Sequence, residues 1–238
     1  MSRSPLVRPF PLTLLALLLL LLWDASGRDL VFARAIGTPL GFPWRDNWFL
    51  VNVMHEGAKA LSWGLTLALF VAIPWPFGAL RRLGRSDRVQ MAISALASVA
   101  VISLMKRASS TSCPWDLQAF GGAAQYVSHW SWNVRDGGGG NCFPAGHASA
   151  AFAYMGGYFA WRRTSPSIAR VWLACSVIAG LALGLAQQWR GAHFMSHTLW
   201  TAWLCWVTGY VIELAMRWRA SRSTGDAASR RERSLNGT

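Results

Sequence analysis

Two short stretches carry the side chains able to do acid–base or nucleophilic chemistry in an otherwise apolar chain. Residues 142–150 read CFPAGHASA and residues 189–200 read WRGAHFMSHTLW. They supply Gly146, His147, Arg190, His193 and His197, and Lys106 closes an earlier apolar run. Lysine and arginine neutralise phosphate oxygens, and arginine binds two of them at once. The backbone N–H groups after Pro144 open a helix, where anions bind readily. One imidazole can attack phosphorus while a second protonates the departing oxygen. Fixed cations then carry the transition-state charge, so the chemistry asks for no cofactor and no metal. A zinc reading stands beside it. His193 and His197 have i, i+4 spacing, with His147, Cys113 or Cys142 as further ligands, but no HExxH and no dense Cys/His cluster accompanies them.

These groups share one depth if the apolar runs cross a membrane. Hydrophobic residues make up 53% of the 238, charged residues 14%, and there are fifteen Trp, a residue that favours membrane–water interfaces. The net charge is +13, but the basic residues are dispersed between apolar runs. That pattern suits loops on an anionic membrane surface and argues against nucleic acid as a partner. Six spans are predicted, at 10–23, 58–76, 89–105, 147–161, 170–187 and 197–216, several near the lower end of the roughly 17–25 residues a crossing needs. The first also fits a signal-peptide core, with ASG at 25–27 as a cleavage site; the uncleaved reading is the one that suits six helices.

With the N-terminus cytoplasmic, 15 of the 23 Lys and Arg fall in inside segments, which puts both termini in the cytoplasm. The expected fold is therefore all-α: one domain over 1–218, an integral-membrane bundle of about six transmembrane helices with an outward-facing active-site loop over 106–146. A Ser-, Arg- and Gly-rich tail, 219–238, reads as disordered. Residues 24–57 mix Trp44, Trp48 and Phe49 with Arg45, Asp46 and Glu56, and read as a segment lying on the outer interface. His55 and His129 have no motif context and read as interfacial or loop residues. Cys113 and Cys142 share one polar stretch, and form a candidate disulfide if it faces an oxidising compartment.

The polar set resembles the type 2 phosphatidic acid phosphatase superfamily, which shares its core with vanadium haloperoxidases. That family's motifs are K-x6-R-P, P-S-G-H and S-R-x5-H-x3-D. Here they read KRASSTSCP (106–114), PAGH (144–147) and AQQWRGAHFMSH (186–197). The resemblance implies a six-helix membrane enzyme that hydrolyses a lipid phosphate or diphosphate. It assigns His193 as the nucleophile that forms a phosphohistidine and His147 as the general acid, with Lys106 and the Gly146 backbone holding phosphate. It also implies a phosphorylated membrane lipid as substrate and a bacterial inner membrane, with the site toward the periplasm.

Several letters depart from the motifs. Cys113 and Gln187 stand where arginine is usual, Ala145 replaces Ser, and His197 replaces the Asp that orients the nucleophile. Arg190 is the first candidate to replace a lost arginine, with Arg107 and Arg135 behind it. His197 can orient His193 as a neutral acceptor, and Asp116 or Asp136 from the loop is the candidate source of negative charge. The same site also suits a lipid phosphotransferase, and the lost positions suit a catalytically reduced lipid-binding or transport protein.

Overall fold

A computed structural model describes the backbone of residues 9–131 and 134–236, with side chains as far as Arg222. Among these residues the chain is helical, with no strand beyond two isolated bridges. The first helix, α1 (Pro9–Ala25), is leucine-rich all round and leaves Phe10, Leu14, Leu18 and Leu22 exposed, as a lipid-facing helix would. Its Thr13 accepts from the indole N–H groups of Trp203 and Trp206, which ties it to the C-terminal helix. Gly27, at φ 64°, turns the chain into α2 (Arg28–Ile36), bent 69° from α1; a residue without Cβ takes that left-handed conformation at little cost.

A π-helix (Phe49–Gly57) runs directly into α3 (Ala58–Val71). The expected span at 58–76 is thus shifted toward the N-terminus, because Pro74 and Pro76 cannot continue a helix. Next comes α4 (Arg85–Ala108), whose buried stripe of Met91, Ala95, Ser98 and Ile102 follows helical spacing. The expected span at 147–161 is three short pieces: α5 (Ser149–Phe152), a 3-10 turn (Ala153–Gly156) and α6 (Gly157–Trp161). Ala151–Arg162 is buried throughout. Gly156 packs against Ser94 and Gly209, and Gly157 against Trp172, approaches that a Cβ would block. The segment is therefore enclosed by α4, α7 and α8, with Phe152, Phe159, Trp161 and Trp206 at the centre of the main core.

The last two helices are α7 (Pro166–Trp189) and α8 (Met195–Asn236). α8 continues through 219–236, where composition suggested disorder; Ala227, Ala228, Arg230, Arg231 and Glu232 are good helix formers. Arg3 and Arg8, used in the topology reading, lie outside the described residues. Among the described residues three helices are long and apolar enough to cross a membrane: α4, α7 and α8 as far as Arg222. A fourth joins them if α1 and α2 count as one bent span. At the end of the bundle away from the histidines, Glu213 is 1% exposed and meets Arg162 at 2.8 Å, Arg163 at 3.2 Å and Arg217 at 3.0 Å.

Candidate active site

The C-terminal ends of α4 and α7 and the N-terminal ends of α5 and α8 meet at one end of the bundle, and the loop 109–148 folds over them. Three ties fix that loop. Cys113 and Cys142 are joined by a disulfide (S–S 2.07 Å). The Ala145 N–H donates to the carbonyl of His197 at 3.2 Å, and Thr201 Oγ1 donates to the Ala145 carbonyl at 3.1 Å. Residues 144–147 are thereby pinned to the first turns of α8. The Trp115 N–H donates to the Gly191 carbonyl at 2.9 Å, and Gly191 itself sits at φ 76° in the turn between α7 and α8.

Lys106 and His147 share a cavity of about 240 Å³ with Gly146, Lys59 and Ser149. The Lys106 ammonium lies over Gly146, 3.6 Å from where a Cβ would stand. Arg190 caps α7; its Nε donates to the Arg45 carbonyl (2.9 Å) and its Nη1 to Gln187 Oε1 (3.1 Å), so Gln187, at a lost arginine position, braces Arg190. His193 is 3% exposed, with Nδ1 3.5 Å from Cys142 Sγ. His197, 1% exposed, packs edge-on against His193 with centroids 5.7 Å apart, and its Nδ1 has no hydrogen-bond partner among the described residues. Asp29 of α2 accepts from the Ser196 N–H at 3.0 Å and from Ser196 Oγ, which caps the start of α8 beside His197.

The electrostatics follow from burial among cations. Burial comes first in holding His147 down to about 3, with His55, Lys106, Arg190 and Lys59 adding to it. His193 lies well below the ordinary histidine range, again through burial first and then His197, Lys106 and His147; a backbone hydrogen bond to Cys142 opposes them. Both rings are therefore neutral near pH 7. A neutral imidazole has the lone pair a nucleophile needs. A phosphate dianion among these cations pushes the other imidazole back toward protonation.

The loop carboxylates stand elsewhere than expected. Asp116 Oδ2 accepts from the Cys113 N–H (3.3 Å) and from the Trp115 indole (3.1 Å). Asp136 accepts from the Ser112 N–H and Oγ and from the Gly138 N–H. Short polar side chains satisfy the nearest backbone donors, so these two brace the loop. Arg107 and Arg135 are exposed on the rim. The zinc reading meets a geometric obstacle. Ligand atoms of Cys142, His193 and His197 lie within 4.8 Å of one another, but the Cys142 sulfur is held in the disulfide and has no thiolate to offer.

Four groups that sequence reasoning left aside are drawn in. His55, in the π-helix, lies against His147 with ring centroids 3.5 Å apart, and its Nδ1 is 2.8 Å from Glu56. Lys59, four residues on, lines the cavity of Lys106. His129 packs edge-on against His197 (5.8 Å), and Asp24 lies 3.3 Å from His129. A π-helix is not legible from composition, although such turns concentrate at functional sites.

Comparison with family models matches residues 88–221 to the PAP2 superfamily. Comparison with curated proteins and with solved structures finds no match. Lys106, Gly146, His147, Arg190, His193 and His197 fall inside the matched region; Asp24, His55 and Lys59 fall outside it.

Proposed function

Because the chain belongs to the PAP2 superfamily, whose membership implies phosphatase activity, we propose that it hydrolyses a lipid phosphate or diphosphate at the outer face of a bacterial inner membrane through a phosphohistidine. One observation carries the lipid part of this reading. The cavity of Lys59, Lys106 and His147 shares Ser62 and Ala150 as walls with an apolar groove of about 740 Å³. That groove runs between α3 and α7 and is lined by Leu61, Leu65, Leu69, Trp172 and Ala179 among others. A phosphate beside cations and a hydrocarbon chain against leucines would satisfy both ends of one amphiphile. We count the helix 49–71 and the enclosed segment 149–161 as crossings beside α1, α4, α7 and α8; six crossings put both termini on one side, and the excess of basic residues in the inside segments makes that side the cytoplasm.

In the proposed reaction His193 attacks phosphorus through Nε2, since Nδ1 faces Cys142. The bond from phosphorus to the leaving oxygen breaks, and His147 gives that oxygen its proton. Water then cleaves the N–P bond with His147 as base. Lys106 and Arg190 hold the phosphoryl oxygens, with the Gly146 N–H as a further donor. His197 orients His193. The test is phosphate release by purified protein from a diacylglycerol phosphate, a polyprenyl diphosphate and a lipid A phosphate, with His193→Ala as control. Release abolished by that substitution is expected; undiminished release would remove His193 from its role. A non-catalytic lipid-binding reading draws on Cys113, Gln187 and His197 at positions where the motifs carry Arg, Arg and Asp. Binding of all three lipids without turnover would favour it.

A further inference from the structure

Phosphorylating His193 places positive charge on a ring that is 3% exposed. A charge forming away from water needs an opposite charge near it. α8 offers His197 where a carboxylate would do this most simply; the loop carboxylates Asp116 and Asp136 are bound elsewhere, and Asp29 is taken up by the Ser196 N–H and Oγ and by the Trp23 indole. The ring contacts lead outward instead. His197 meets His129 edge-on at 5.8 Å, and His129 Nε2 lies 3.3 Å from Asp24 Oδ2. Phe143 holds the row in place, stacked on His129 (4.2 Å between centroids, 11° between planes) and edge-on to His197 (5.2 Å). Asp24 is fixed by the indole N–H groups of Trp200 (2.8 Å) and Trp130 (3.0 Å). Its Oδ1 is buried with no hydrogen-bond partner among the described residues. With its side chain 9% exposed, this carboxylate is little screened by water, so its charge is felt along the row.

We propose that Asp24 and His129 are positioning residues of the phosphoryl-transfer site: the Asp24 carboxylate, acting through His129 and His197, offsets the positive charge that His193 acquires with the phosphoryl group. The inference rests on the reading of His193 as nucleophile. No proton need move along the row. The N–P bond forms as the P–O bond breaks, the proton on the leaving oxygen comes from His147, and the row lowers the cost of the imidazolium. The first helix, outside the region matched to the family, thus contributes a charge to the reaction and not only a membrane anchor.

The experiment uses the full chain in detergent, with a short-chain diacylglycerol phosphate as probe and thermal unfolding followed in parallel. Wild type, Asp24→Asn, His129→Phe, the double variant, Asp24→Glu and His193→Ala are compared. Asp24→Asn and His129→Phe are each expected to lower kcat by about tenfold with little change in KM, the size of effect of one unit charge acting across two rings in an effective dielectric of about 20. The double variant is expected to be no slower than either single variant, because both interrupt one row. Asp24→Glu should recover part of the rate. Unchanged kcat in both single variants, with His193→Ala inactive, overturns the proposal and leaves the nucleophile reading intact. Losses that multiply in the double variant, or that only follow the loss of folded protein, reduce Asp24 to a structural tie and also overturn it. An active His193→Ala, or a wild type without turnover, removes the underlying reading and the proposal with it. If Asp24→Asn does not fold, His129→Phe, which keeps a ring stacked on Phe143, decides by its kcat alone.

Discussion

The imidazole of His55 lies against that of His147, ring centroids 3.5 Å apart, although ninety-two positions separate them in the chain. The contact joins a π-helix outside the family-matched region to the PAGH turn inside it. Burial first, then His55, Lys106, Arg190 and Lys59, hold His147 down to about 3.

Anion binding should therefore take up protons. At pH 7 burial and the neighbouring cations hold His147 neutral, and a phosphate among the same cations favours its charged form. Titration calorimetry with inorganic phosphate, in buffers of different ionisation enthalpy, is expected to give heats that differ by a net proton uptake. His147→Gln should remove the difference. Equal heats in all buffers for the wild type would rule the coupling out.

Stability should fall on mild acidification. A histidine titrates near 6.5 in the unfolded chain, while His147 folds to about 3 and His193 is also held low. Between those values the unfolded chain binds more protons, so stability rises with pH across the window and is lost as pH drops from about 6.5 toward 3. The melting temperature in detergent should decline through that range, and less steeply for His147→Gln. A flat profile would contradict the burial of these rings.

Reduction should loosen the site as well as the loop. The disulfide Cys113–Cys142 spans a separation of 29 residues, which corresponds to about 3–4 kcal/mol of stabilisation. Its Cys142 sulfur also rests 3.5 Å from His193 Nδ1. Reductant, or Cys113→Ser with Cys142→Ser, should lower both the melting temperature and the turnover of the molecules that remain folded. In unreduced protein a thiol reagent should label neither Cys113 nor Cys142. Ready labelling of Cys113 and Cys142 would end this prediction.

The arginine cluster at the other end serves as a contrast. Glu213→Gln leaves Arg162, 7% exposed, without its carboxylate, and breaking a buried pair costs about 3–5 kcal/mol. Glu213 lies about 24 Å along α8 from His197 at 1.5 Å per residue. Denaturant unfolding should show the loss, and kcat per folded molecule should stay at the wild-type value. A proportionate fall in kcat would show that the two ends are coupled.

Much of the site was legible in the order Lys106, PAGH, His193, because motif spacing is local and survives changes at individual letters. The supporting groups were not. A lone histidine such as His55 or His129 gives the same local pattern whether it faces headgroups or another imidazole. Asp116 and Asp136 looked available as loop carboxylates, yet nearby N–H groups claim both. The run at 147–161 had the apolar content of a crossing; that Gly156 and Gly157 let neighbouring helices close in and split it into short turns depends on Ser94, Trp172 and Gly209, residues distant in the chain.

Hydropathy and helical periodicity were enough for the all-helical class, most of the apolar segments and the residue types that handle phosphate, since each depends on runs of neighbours along one helix. Which carboxylate and which extra imidazoles stand behind His193 and His147 was decided by packing. Asp24 reaches His129, and His55 reaches His147, only once α1, the π-helix and α8 bring their ends together. That meeting depends on the shapes of helix surfaces far apart in the chain, and local spacing carries no record of it.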